Sequence, residues 1–241
     1  MTSASLAAIL GRMTTHLPRM GLIGMVVAYA LAMAYLESAV VVYLRQALGV
    51  STGDVFPIDL ESELSGRLGW IELGREAATL VMIGAVGWLV GRSGLERLAW
   101  AAVIFGAWDI GYYFWLWAFS GRPTGLATWD LLFLIPVPWA GPVWAPVAVS
   151  LALVGFGLAL AGRYRAGLTA RAGVAPLGSL LLGAALIIVS FTLNAGVVLG
   201  GGTPTEFAWP WFAAGMAIGV VGASAILRTA APATERNPRT A

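Results

Sequence analysis

The chain contains no cysteine and no lysine, and its single histidine is His16. Without cysteine, disulfides, thiolate metal sites and cysteine nucleophiles are excluded. Without lysine, Schiff-base chemistry and a lysine-dependent phosphate-binding loop are excluded as well. One histidine disfavours a haem or zinc site built from this chain alone. We therefore expect no cofactor and no metal, and any chemistry must use carboxylates, arginine, hydroxyls and aromatic rings.

Charged residues are also scarce. They make up 11% of the 241 residues, whereas 59% are hydrophobic and the mean hydropathy is +0.83. A soluble domain carries roughly a quarter charged residues. The apolar residues form runs of about 20, the length of α-helix that crosses a hydrocarbon core. The sequence predicts an all-α integral membrane protein surrounded by lipids, and membrane topology explains its net positive charge better than nucleic acid binding does.

Six transmembrane helices are predicted from these runs. They cover residues 22–42, 71–89, 98–119, 143–162, 177–199 and 207–227. The chain then divides into an N-terminal cytoplasmic or interfacial segment (1–20), a six-helix transmembrane domain (21–228) and a disordered cytoplasmic tail (229–241).

The arginines predict the orientation of these spans. With the N-terminus inside, ten arginines lie on the inner side and four on the outer side, as the positive-inside rule requires. The outer four are Arg45, Arg67, Arg75 and Arg122. Both termini are therefore predicted to be cytoplasmic, in a multi-pass protein of a bacterial inner membrane.

Residues 121–146 differ from the rest of the chain because they are rich in proline. Thr128 can cap a short helix over WDLLFLI, and Pro136 and Pro138 must then break that helix. A hydrophobic half-helix followed by prolines is typical of a re-entrant or interfacial segment. We predict such a segment at about 128–141.

Three charged residues lie near the start of the second span. Glu72, Arg75 and Glu76 have i, i+3 and i+4 spacing and so share one helical face. Charges at this depth must face protein or water rather than hydrocarbon.

Other spans carry polar residues at similar depth. Counted from the outer end of each span, Glu37, Glu76 and Asn194 lie roughly 8 Å below the outer boundary and Asp109 about 15 Å below it. We predict that they meet in one cavity open to the outer side. Its expected ligand- or proton-binding residues are Glu37, Arg75, Glu76, Asp109, Tyr112 and Asn194. Its expected wall or lid is formed by Trp129, Asp130 and Trp139.

Two of these assignments have structural alternatives. The charges can instead form buried ion pairs, Arg75 with Glu37 or Asp109, that fix helix packing without any ligand. Asp130 can instead cap the N-terminus of the half-helix.

Small residues recur along the sixth span, where Gly215 and Gly219 are one turn apart. This spacing permits close helix packing in lipid, either within the chain or in a homodimer.

Four sequence blocks resemble those of a group of uncharacterised bacterial polytopic membrane proteins. The blocks are YLESAVVVYLR (35–45), REAATLVM (75–82), WDIGYYFWL (108–116) and WDLLFLIPVPWAGPV (129–143). The resemblance covers about the first 150 residues, and it implies no activity.

Three functions fit these features. The first is binding or translocation of a small cationic or amphiphilic solute, with or without proton coupling, at the outward-facing cavity of carboxylates, arginine and aromatic rings. The second is an accessory or scaffold subunit that contacts other membrane subunits. The third is an intramembrane enzyme that uses paired carboxylates, which we favour least because no catalytic motif accompanies them.

Overall fold

The computed structural model describes residues 19–47, 49, 56 and 67–232. These residues form seven α-helices and four short strands. The helices are α1 (Arg19–Ala47), α2 (Arg67–Val90), α3 (Gly94–Ser120), α4 (Trp144–Arg165), α5 (Val174–Thr192), α6 (Ala195–Leu199) and α7 (Trp209–Arg228). The strands are β1 (Trp129–Phe133), β2 (Trp139–Pro142), β3 (Leu168–Thr169) and β4 (Ala231–Pro232). Most of the predicted N-terminal segment and residues 233–241 of the predicted tail lie outside the described residues.

Five helical segments are long and apolar enough to cross a membrane. They are Gly21–Ala47, Arg67–Val90, Trp144–Arg165, Val174–Leu199 and Trp209–Arg228. The fold is thus that of a mostly helical, membrane-embedded protein, and the predicted membrane class is confirmed to that extent. Helix α3 matches the third predicted span in position, but it is not among these five segments.

Helix α3 organises the first half of the bundle because α1, α2 and α4 all pack against it. Its N-terminus is capped by Ser93, whose hydroxyl accepts the N–H of Glu96, and its C-terminus ends at Gly121 with φ 71°. Trp100 and Ile104 are fully buried at these contacts. A helix surrounded by other helices needs less apolar surface than one facing lipid, so α3 can carry more polar side chains.

The second half of the bundle depends on close contact between α5 and α7. A Cβ atom added to Gly183 would lie 2.7 Å from the N of Gly219 and 2.8 Å from the O of Gly215. The backbones therefore approach too closely for any side chain there. Gly215 is used in packing within the chain, and the homodimer through Gly215 and Gly219 stays a prediction.

The fifth predicted span is interrupted. Helix α5 ends at Thr192, and the short helix α6 begins at Ala195. The side chain of Asn194, at the break, donates from Nδ2 to the backbone O of Glu206 at 3.0 Å. The break therefore ties the end of α5 to the segment that precedes α7.

The predicted half-helix at 128–141 is wrong, because β1 and β2 form an antiparallel hairpin there. Trp129 pairs with Pro142 and Leu131 with Ala140. Thr128 extends the pairing by accepting the N–H of Val143 at 3.0 Å instead of capping a helix. The aromatic and branched residues of this stretch suit strands, and an adjacent segment supplies the hydrogen-bond partners that a strand requires. We call the ends of the helices next to this hairpin the hairpin end of the bundle.

The contact between α5 and α7 makes a testable prediction about stability. Replacing Gly183 by Ala inserts a methyl group into the α7 backbone, and we expect a loss of about 1–3 kcal/mol in the free energy of unfolding. Gly178→Ala on the same helix is the matched control, because its Cβ would meet nothing within 4 Å. Thermal unfolding in one detergent compares them, and equal midpoints for both variants would contradict the packing described.

Candidate functional site

Arg75 on α2 is held by two carboxylates. One guanidinium nitrogen donates to Glu37 of α1, and the others donate to Glu72, one turn before Arg75. The side chains of Arg75, Glu37 and Glu72 are 21%, 12% and 13% exposed. The pair predicted between Arg75 and Glu37 is present in the structure, and it joins α1 to α2.

A groove of about 280 Å³ separates α1 from α2 at this point. Both helices pack against α3, and the groove runs between them. Its apolar lining includes Tyr29, Met33, Leu36, Val40 and Met82. Its polar lining is Glu37, Arg75 and Thr79. We call this space the α1–α2 groove.

Thr79 completes the polar part of the groove, although it was not among the residues predicted from the sequence. Its hydroxyl lies 3.3 Å from Oε2 of Glu37 and 3.1 Å from the backbone O of Arg75. Thr79 is one helical turn from Arg75, so i+4 spacing was the signal that could have found it. With two carboxylates and one guanidinium, this set of side chains carries one net negative charge.

Glu76 points away from the groove and holds the hairpin. Both of its carboxylate oxygens accept the backbone N–H of Leu134, at 2.9 and 3.0 Å. The residue is only 4% exposed. A charged acceptor makes this a strong hydrogen bond, so Glu76 attaches the turn between β1 and β2 to α2.

Asp109 lies on α3 and faces α4. Its Oδ2 accepts the hydroxyl of Ser150 at 2.8 Å, and both residues are buried. Among the described residues, both ion pairs belong to Arg75 and neither includes Asp109. The predicted alternative pair of Arg75 with Asp109 is therefore not formed.

Asp130 lies on β1 and is buried against α3. The hydroxyl of Tyr113 and the N–H of Leu131 donate to its carboxylate, while its Oδ2 has no hydrogen-bond partner. Burial raises the pKa of Asp130 to about 6, although both hydrogen bonds and the charge of Arg45 act to lower it. The alternative of a helix cap at Asp130 is wrong, because no helix begins there.

The predicted site residues therefore fall into two sets and one outlier. The α1–α2 groove holds Glu37 and Arg75, whereas Asp109 bonds to Ser150 of α4 and Asp130 lies on the hairpin. Tyr112 is close enough to both sets for the charges of Glu37, Arg75 and Asp130 to act on it. Asn194 joins neither set, because its side chain bonds to the backbone of Glu206.

The tryptophans of the hairpin pack it onto the second half of the bundle. Trp139 stacks on Phe191 of α5 with ring centroids 6.2 Å apart, and Trp129 contacts Phe207 at the same distance. Phe133 lies between Trp139 and Trp108 of α3. The indole nitrogens of Trp108 and Trp139 are buried without a hydrogen-bond partner.

Comparison with protein-family models, curated proteins and solved structures found no match to this chain. The arrangement of its own side chains is therefore the basis for function. Within the described ranges, no group of three or more His, Asp or Glu residues is placed to hold a metal ion.

The bond between Glu76 and Leu134 can be tested by hydrogen exchange. Glu76→Met removes both acceptors, so the hairpin should open more often, and amide exchange in residues 129–142 should rise on the order of tenfold to a hundredfold. Glu72→Gln on the same helix is the control, because Glu72 does not contact the hairpin. Unchanged exchange in Glu76→Met would show that the aromatic contacts alone hold the hairpin.

The ion pair makes a prediction about paired substitutions. Arg75→Leu leaves Glu37 and Glu72 without a cation, and loss of one partner of a buried pair costs up to about 3–5 kcal/mol. We expect part of that loss, because Arg75 is 21% exposed. Adding Glu37→Gln should recover stability, because it removes one unpaired carboxylate. A double variant less stable than Arg75→Leu in thermal unfolding would contradict the pairing.

Proposed function

We propose that this chain is a six-span inner-membrane protein with both termini cytoplasmic, and that it binds a cationic amphiphile in the α1–α2 groove. The topology rests on the five apolar helices, on α3 as a sixth crossing and on the arginine bias. At 27 residues, α3 is about 40 Å long, which is enough to cross a bilayer. The hairpin end of the bundle is then the outer end.

The groove itself is the observation that carries the binding proposal. Its walls are apolar, and a set of side chains with one net negative charge lies beside them. Pockets with apolar walls and a few convergent polar groups are typical ligand sites. An alkyl chain fits the walls of this groove, and a positively charged headgroup fits the carboxylates.

The charges favour a cation over an anion. The guanidinium of Arg75 already donates to Glu37 and Glu72, so few of its N–H groups are left for an anionic headgroup. The carboxylate of Glu37 also accepts a hydrogen bond from the hydroxyl of Thr79. It can accept further hydrogen bonds, because a carboxylate has about four lone-pair sites. A quaternary ammonium group needs only the excess negative charge and no hydrogen bond.

The ligand is expected to enter sideways from the bilayer. Leu36, Val40 and Met82 line the groove and are 66%, 38% and 41% exposed. In a membrane-embedded protein, side chains with that exposure at the middle of a helix contact lipid. The proposed route therefore leads from the outer half of the bilayer to Glu37, and translocation would extend it toward Tyr29, which lies about 12 Å further along α1.

Calorimetry with defined probes tests this function. The full chain in nanodiscs of zwitterionic lipid is titrated with dodecyltrimethylammonium and, separately, with dodecyl sulfate, and the heats of empty nanodiscs are subtracted. We expect saturable binding of the cation and none of the anion. Glu37→Gln should weaken cation binding about tenfold, equivalent to about 1.4 kcal/mol.

Glu206→Gln is the matched control, because Glu206 is an exposed carboxylate near the hairpin end. It should bind the cation as the unmodified chain does. Equal binding of both probes, or an affinity that does not respond to Glu37→Gln, would overturn the proposal.

A further inference from the structure

A line of polar side chains runs along one face of α3, separate from the α1–α2 groove. Tyr113 lies one helical turn from Asp109, on the same face. Its hydroxyl donates to Asp130 of the hairpin, while Asp109 accepts the hydroxyl of Ser150. Asp109 and Asp130 are thus connected through Tyr113, which lies one turn of α3 from Asp109 and contacts Asp130 at the hairpin end.

Both carboxyl groups are buried without a cation bonded to them. Asp109 is 8% exposed and Asp130 is 5% exposed, and the ion pairs in the described ranges include neither. Moving a carboxylate from water into a protein interior is unfavourable unless opposite charge compensates it. The two groups are also near enough for their negative charges to act on each other, so ionising both costs more than ionising one.

The groups around Asp109 and Asp130 do not fully compensate the negative charge that two ionised carboxylates would carry. Helix α3 contributes Tyr112 and Tyr113, which are neutral, and α2 contributes Glu76, which is bonded to Leu134 of the hairpin. Arg45 of α1 acts on Asp130 from a distance. The parts of α4 and α5 that face the hairpin, residues 144–162 and 174–192, contain no titratable side chain.

Asp130 also has an oxygen available for a proton. Its Oδ2 is buried and accepts no hydrogen bond, whereas an ionised carboxylate in a protein interior normally accepts hydrogen bonds from donors at both oxygens. A proton on either carboxyl of the pair removes one of the two uncompensated charges.

We propose that Asp109 and Asp130 form a proton-binding site that retains at least one proton at neutral pH. The ligand class is the proton itself, held by a pair of buried carboxyl groups that titrate together. The site lies between α3, α4 and the hairpin and shares no side chain with the α1–α2 groove. It can therefore exist whether or not the groove binds an amphiphile.

The sequence makes a direct measurement practical, because the chain contains only four aspartates, at positions 54, 59, 109 and 130. The full chain is labelled with carbon-13 at the aspartate carboxyl carbons and studied by nuclear magnetic resonance in detergent from about pH 4 to pH 9. The double variant Asp54→Asn/Asp59→Asn assigns the two remaining signals to Asp109 and Asp130 without altering the buried residues.

At pH 7 at least one of the two buried signals should have the chemical shift of a protonated carboxylic acid. As the pH rises, that signal should move to the ionised position, at a pH more than about one unit above the ordinary pKa of aspartate, about 3.9. In Asp130→Asn, the remaining buried signal should titrate in a single step, because its coupled partner is gone.

The proposal is overturned if both buried signals are already ionised at pH 7 and titrate near the ordinary pKa of aspartate. Every aspartate carboxyl is observed in this experiment, so poor access of a reagent cannot produce that result. Failure of the amphiphile titration would leave these signals unaffected, and the two proposals can therefore fail separately.

Discussion

The guanidinium of Arg75 imposes the main constraint on the first half of this bundle. A permanently charged side chain on a membrane helix must have carboxylate partners or water. Arg75 finds one partner on its own helix, Glu72, and the other across the groove, Glu37. The side chains thus bridge α1 and α2, and the two backbones need not touch. A space with apolar walls and a charged end follows directly from that bridge.

Helix α3 supports both the groove and the buried carboxyl groups. It packs against α1, α2 and α4, so a polar residue on the faces that meet these helices is shielded from lipid. Asp109 lies on the face of α3 that meets α4, where the hydroxyl of Ser150 donates to its carboxylate.

The sequence predicted the long helices well because each one repeats a signal over about 20 residues. It also offered Glu37 and Asp109 as alternative partners of Arg75, because a buried arginine requires an acid, and the structure forms the pair with Glu37. Both inferences rest on constraints that act on any chain in a bilayer.

The hairpin and the division of the acids could not be predicted in the same way. Thr128 and the prolines fit a capped half-helix as well as a turn. The stretch forms a strand because β2 pairs with β1, and that pairing cannot be read from the local sequence. The depth of Asn194 in the membrane matches that of the acids, but depth does not show which way a side chain points. The helix breaks after Thr192, and the side chain of Asn194 bonds to Glu206 instead. The position of a side chain around a helix bundle depends on how the helices pack together. Neither the depth of a residue in the membrane nor its spacing along the chain predicts that position.

Photo-crosslinking tests the central claim, that the bridge by Arg75 creates a ligand groove, most directly. The chain in nanodiscs is illuminated with a quaternary ammonium amphiphile that carries a diazirine in its alkyl chain, and the labelled residues are identified by mass spectrometry. The account predicts labelling of Met82 and Leu36, which line the groove, and little at Val81, which is 68% exposed but outside it. Equal labelling of Val81 and Met82 would mean that the probe meets only the lipid-facing surface, and it would contradict the account.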